Sequence, residues 1–120
     1  MIKIYHNNRC SKSRCGLDII EKSGKLYKVI KYLEDTPSVN ELKEIIDLLG
    51  INPIQLVRKN EAIWKENFKH LDFTEEELIK IMGKYPQLIV RPIVINGNKA
   101  VVGRPPESIL VLSKISPYLF

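Results

Sequence analysis

The sequence predicts a single α/β domain, a small mixed sheet flanked by helices, with a helical insertion between its two halves. Three observations predict it. The first 33 residues read as strand, helix, strand. The last third reads as strand, strand, helix. Between them, over approximately residues 37–86, apolar residues recur at helical spacing and capping patterns appear. A chain of 120 residues with 44% hydrophobic side chains fits one compact domain with a normal core.

Each element follows from its residues. Ile2 and Ile4 open a short strand, and Asn7–Lys12 reads as a loop. Leu17 and Ile20, with Cys15 and Ile19 beside them, give a helix of roughly three turns that ends at Ser23-Gly24. Leu26–Leu33, rich in Tyr, Val and Ile, is a second strand. So short a crossover favours parallel strands joined right-handedly. Ser38-Val39-Asn40-Glu41 after Pro37 is a capping box, and Val39, Leu42, Ile45, Ile46 and Leu49 keep helical spacing up to Gly50. Asn52-Pro53 reads as a helix start, with Ile54, Leu56 and Val57 in a short helix ending near Arg58-Lys59-Asn60. Trp64 and Phe68 form a further turn packed on the core. Thr74-Glu75-Glu76-Glu77 is a second capping box, followed by Leu78, Ile79 and Met82 up to Tyr85-Pro86. Leu88–Val90 leads to Arg91-Pro92. Ile93–Ile95 and Lys99–Val102 flank Asn96-Gly97-Asn98, a hairpin signal. Gly103-Arg104-Pro105-Pro106-Glu107 then opens a terminal helix carrying Ile109, Leu110 and Leu112.

Composition narrows the function. No run of about 18 apolar residues exists, so no membrane partner is expected. Met1-Ile2-Lys3-Ile4-Tyr5 carries no secretory signal, and a cytoplasmic location is expected. Two cysteines in that compartment fit a redox or nucleophilic role better than a structural disulfide. With only His6 and His70 beside them they complete no zinc site, so no metal is expected. The net charge is +5, and the first 32 residues hold eight Lys or Arg against Asp18 and Glu21. These lysines are spread through the helix and strand patterns and carry no RNA-binding signature. A solvated surface or a small anionic substrate explains them better than nucleic acid does.

Cys10 is the residue that carries chemistry. It lies where a strand stops and a helix starts, within His6-Asn7-Asn8-Arg9-Cys10-Ser11-Lys12-Ser13-Arg14-Cys15. A thiolate is a nucleophile. The free N–H groups and dipole of a helix N-terminus stabilise it and lower the thiol pKa from about 8.5. Arg9, Lys12 and Arg14 act in the same direction.

This order, with a cysteine after the first strand and a proline before the hairpin, describes a thioredoxin-like domain. The chain resembles the glutaredoxin-coupled arsenate reductases, in the superfamily that also holds the Spx-type regulators. The matching pieces are His6-Asn7-x-x-Cys10-x-x-Ser13-Arg14, Leu56-x-Arg58-Lys59-Asn60, Arg91-Pro92-Ile93-Val94 and Gly103-Arg104-Pro105. The resemblance implies Cys10 as the catalytic nucleophile, Arg58, Arg91 and Arg104 as the substrate oxyanion site, His6 as a group influencing the thiol, and Pro92 as a cis-proline. Guanidinium groups stay charged and present forked donors that fit a tetrahedral oxyanion. Ser13 either donates to the thiolate or caps the helix, and Arg14 either contacts the incoming thiol donor or is exposed. The resemblance further implies arsenate reduction with glutathione as co-substrate, glutaredoxin or thioredoxin as reductant, no bound cofactor, and a monomer.

Two other readings stand beside it: a general glutathione-dependent thiol–disulfide oxidoreductase, and an Spx-type regulator that binds RNA polymerase. The arginines favour the enzyme, and the absence of Cys-x-x-Cys disfavours a redox-switch regulator. Asn8 stands where the family often has proline, and Lys12 replaces a small residue. Cys15, about one turn into the helix, is the larger departure. It is either a resolving thiol or a small side chain packed on the helix's inner face. Packing is the expectation, because a disulfide needs Cα atoms within about 7 Å.

Overall fold

The computed structural model describes residues 1–115, with side chains described through Leu112. The chain separates into two compact units, residues 1–35 with the chain from Arg91 onward, and residues 36–90.

The first unit holds the sheet. Its strands are β1 (Ile2–Tyr5), β2 (Tyr27–Ile30), β3 (Ile93–Asn96) and β4 (Lys99–Val102), in the order β2-β1-β3-β4. β1 pairs parallel to β2 and antiparallel to β3, so Ile4 stands between Val29 and Val94. A parallel pair needs a crossover, and α1 (Ser11–Lys22) supplies it. β3 and β4 form the hairpin, with Asn96 paired to Lys99. Gly97, at φ 64°, takes the first turn position, and the strand extends through Asn96. α5 (Ile109–Ile115) follows.

Ile2, Ile4, Ile20, Val94, Ile109 and Leu112 form the core of this unit, with Leu17, Ile19, Tyr27, Val29 and Val101 packed on it. Each fully buried aliphatic side chain contributes about 1.5–3 kcal/mol. Two glycines let the layers close. A Cβ on Gly16 would lie 2.8 Å from Ile109 Cδ1 and 3.1 Å from Pro92 Cγ. One on Gly103 would lie 2.8 Å from Pro92 Cγ and 2.9 Å from Ile109 Cδ1.

The second unit is helical: α2 (Val39–Leu49), α3 (Ala62–Asn67) and α4 (Glu75–Lys84), with 3-10 turns at Pro53–Leu56 and Pro86–Leu88. Both capping boxes form. Ser38 Oγ accepts from the Glu41 N–H at 3.1 Å, and Thr74 Oγ1 from the Glu77 N–H at 3.2 Å. Gly50 closes α2 in the left-handed conformation. Trp64, Phe68, Phe73 and Tyr85 make an aromatic cluster with ring centroids 5.7–6.2 Å apart.

Local expectations are corrected in four places. The second strand is Tyr27–Ile30, shorter than Leu26–Leu33; Leu26 and Leu33 are exposed, and Lys31 O accepts from Glu34 and Asp35 in a turn. Ile54–Val57 is not an α-helix. A single 3-10 turn ends at Leu56, and Val57 forms an antiparallel bridge with Ile89, framed by Arg58 N–H to Leu88 O (2.7 Å) and Val90 N–H to Leu56 O (2.8 Å). Helix α1 begins at Ser11, inside the segment read as a loop. Cys15 is exposed, not packed on the inner face. Ser13, Gly16 and Ile20 are the buried positions of α1, and that helical stripe turns position 15 outward. Among the described residues no helix is long and apolar enough to cross a membrane.

Candidate active site

The end of β1 and the start of α1 build the site. Cys10 is the N-cap residue of α1, in an extended conformation, and its side chain makes no capping hydrogen bond. A tight turn delivers it there. Asn7 O accepts from the Cys10 N–H and Asn7 Oδ1 from the Arg9 N–H, each at 3.0 Å, an Asx-type turn. Arg14 Nη1 donates to Asn8 O at 2.8 Å and fastens the loop to the helix. Arg14 is exposed and holds this loop carbonyl.

Ser13 ties the two elements together. Its residue is fully buried, and its Oγ lies 2.7 Å from His6 Nδ1 and accepts from the Asn7 N–H at 3.0 Å. It is the third residue of α1 and not its cap. Its backbone N–H favours the thiolate form of the sulfur. His6 is 6% exposed. Burial lowers its pKa below the ordinary value, the contact with Ser13 opposes that, and the charges of Arg14 and Lys31 add to the lowering. Burial thus favours the neutral imidazole.

Partial burial pushes the Cys10 thiol up, but it is outweighed. The Ser13 N–H, the Arg91 guanidinium by hydrogen bond and by charge, and the Lys12 N–H all favour the thiolate, so the pKa lies below its ordinary value. Two of these donors are the free amides of a helix N-terminus.

Arg91 and Arg104 belong to the same unit as Cys10. Arg91 faces the thiol, and its Nε is buried with no hydrogen-bond partner among the described residues. Arg104 Nη1 donates to the Arg91 carbonyl at 2.9 Å. The Arg91–Pro92 peptide is cis, and so is Arg104–Pro105, which the sequence reading did not single out. Arg58 stands on the helical unit, where its Nη1 lies 3.4 Å from Glu61 Oε2. Among the described residues no group of three or more His, Cys, Asp and Glu side chains could hold a metal. Sequence reasoning missed Asn7 as the hub of the loop. An asparagine two residues before an unpaired amide, at a strand end, was the available signal.

This arrangement can do nucleophilic chemistry on an electrophile carried by an anion. The amides and the guanidinium around the sulfur favour its thiolate, the nucleophilic form of a cysteine.

Known proteins are similar to this chain in sequence and in fold. Residues 5–112 match the ArsC family model. An arsenate reductase of Haemophilus influenzae is 45% identical over 109 residues, covering 89% of this chain and 94% of that protein. An arsenate reductase of Neisseria meningitidis serogroup A is 39% identical, covering 90% and 94%. Among solved structures, a putative arsenate reductase from Yersinia pestis superposes with TM-score 0.87 at 43% identity, covering 92% of this chain and 99% of that one. An arsenate reductase from Vibrio cholerae gives 0.87 at 42%, covering 92% and 96%. The fold is α/β of the thioredoxin-like class. With nearly its whole described length matched in sequence and in structure, the chain belongs to the ArsC family.

Proposed function

We propose that the protein reduces arsenate to arsenite through Cys10. The carrying observation is a thiol at an uncapped helix N-terminus, with the Lys12 and Ser13 amides and the Arg91 guanidinium all favouring its thiolate. The buried Arg91 Nε, without a hydrogen-bond partner among the described residues, supports an anionic substrate, since an unsatisfied buried donor costs about 1–3 kcal/mol and an oxyanion supplies its acceptor. The names of the relatives supply the particular oxyanion.

In the proposed reaction the Cys10 thiolate attacks arsenic(V). A sulfur–arsenic bond forms and a protonated oxygen leaves as water. A thiol of the glutathione class then attacks the Cys10 sulfur. The sulfur–arsenic bonding pair stays on arsenic, which departs as arsenite, and Cys10 is left in a mixed disulfide. A second thiol, from glutaredoxin, thioredoxin or glutathione, returns Cys10 to the thiol. The sum is arsenate plus two thiols giving arsenite, one disulfide and water. Arg91 and Arg104, in the same unit as Cys10, hold the oxyanion and stabilise its displaced oxygen. His6 and Ser13 keep the first turn of α1 in place under the sulfur, supported by the bond between them. No bound cofactor enters the scheme, and the chain works as a monomer. The cytoplasm, which keeps thiols reduced, is its proposed location.

Arsenate-dependent NADPH oxidation, coupled through glutathione and glutaredoxin in one arm and thioredoxin in the other, tests this. Turnover in either arm identifies the reductant. Arsenate-independent reduction of a mixed disulfide, with no arsenate turnover in either arm, replaces the proposal with the general thiol–disulfide oxidoreductase.

A further inference from the structure

Gly103 and Arg104 follow β4 and reach back onto the chain that enters β3. The Gly103 N–H donates to the Pro92 carbonyl at 2.8 Å. Arg104 Nη1 donates to the Arg91 carbonyl at 2.9 Å. Consecutive residues of one segment thus take consecutive carbonyls of the other. The approach is as close as it can be, because any Cβ at position 103 would meet Pro92 Cγ at 2.8 Å.

This two-point clasp fixes the rotation that matters. Peptide units are planar, so the direction of the Arg91 carbonyl sets ψ of Arg91, and the direction of the Pro92 carbonyl sets ψ of Pro92. Arg91 carries the guanidinium that faces the Cys10 thiol. A long side chain keeps one aim only if its own backbone is held, and Arg104 does the holding. Arginine's five donors allow this, since one Nη on a carbonyl leaves four for other work.

We propose that Arg104 is a positioning residue: by holding the Arg91 carbonyl it aims the Arg91 guanidinium at the Cys10 sulfur, a duty separate from any contact with the oxyanion. The inference rests on Cys10 being the reacting thiol. It requires no arsenate, so its test runs on the free enzyme.

The experiment is the pH dependence of Cys10 alkylation by iodoacetamide in the wild type, R104A, R91A and the double variant R91A/R104A, with Cys10 and Cys15 distinguished by peptide mass. R104A is expected to move the Cys10 profile to higher pH and slow alkylation several-fold near neutrality. R91A is expected to do at least as much, and the double variant to be no slower than R91A. An unchanged profile in R104A overturns the proposal. So does a double variant whose slowing equals the product of the two single effects, since Arg104 would then act on the sulfur directly. If R104A does not fold, R104Q, shorter and uncharged, carries the same expectation and the same two contrary outcomes. An arsenate assay that fails while these profiles behave as expected counts against the substrate and not against the clasp.

Discussion

Helices α1 and α2 begin in opposite ways. At α2, Ser38 accepts from the Glu41 amide and the Glu41 carboxylate accepts from the Ser38 N–H at 3.3 Å, so the helix start is satisfied by its own side chains. A carboxylate also sits in its first turn, where the helix dipole favours one. α4 repeats the scheme with Thr74 and Glu77. At α1 the N-cap is Cys10, which offers no side-chain oxygen to the helix start, and the first turn has no acidic residue. A missing cap costs about 0.5–2 kcal/mol of helix stability. The amides it leaves open are the ones that meet the Cys10 sulfur. One helix start is built for stability. The other leaves its donors to a thiolate and, in the proposed reaction, to an oxyanion.

Exchanging the two designs breaks the contrast most sharply. Cys10→Ser puts a good capping residue on α1 and removes the nucleophile. Arsenate turnover is expected to fall by at least about three orders of magnitude, because a hydroxyl is almost wholly protonated at neutral pH, while chemical denaturation shows stability unchanged or raised by up to about 1 kcal/mol. Gly103→Ala comes next. The new methyl group meets the Pro92 ring and Ile109, and overpacking of this kind costs about 1–3 kcal/mol. Denaturation midpoints measure it, and activity should fall with the displaced Arg91–Pro92 segment. Ser38→Ala is expected to cost about 1 kcal/mol and leave turnover per folded molecule unchanged. The smallest effect belongs to His6. Its folded pKa lies below the unfolded value of about 6.5, so its contribution to stability is present above that pH. It is lost as pH falls toward the folded value, where only the unfolded chain takes up the proton. Denaturation of the wild type and H6Q across that range should show the steeper acid loss in the wild type.

The same contrast explains what was legible in the sequence. The capped helices announce themselves, because Ser38…Glu41 and Thr74…Glu77 are local patterns and the structure forms both. The hairpin around Gly97 and the apolar stripes of β1 and α1 are local too. Two of the misreadings fall where a partner distant in sequence decides. The bridge of Val57 to Ile89 overrides a helical reading of Ile54–Val57. The outward turn of Cys15 follows from Ser13 and Gly16 taking the inner face, and Gly16 is there because Pro92 and Ile109 lie over it. At the site, the place of Cys10 between a strand and a helix could be read from the local sequence, although the helix begins at Ser11, inside the segment expected as a loop. The hydrogen bond from Arg104 to the Arg91 carbonyl could not, since 13 residues and a hairpin separate them.

The central claim is that the open start of α1, with Arg91, holds Cys10 as a thiolate. The most direct measurement is the alkylation rate of Cys10 in the free protein against pH, beside an unstructured peptide of residues 6–15. The account predicts a midpoint for Cys10 clearly below that of the cysteines in the peptide, with the thiolate dominant nearer neutral pH. A midpoint equal to or above the peptide's would mean that burial outweighs the amides and Arg91, and it would contradict the account.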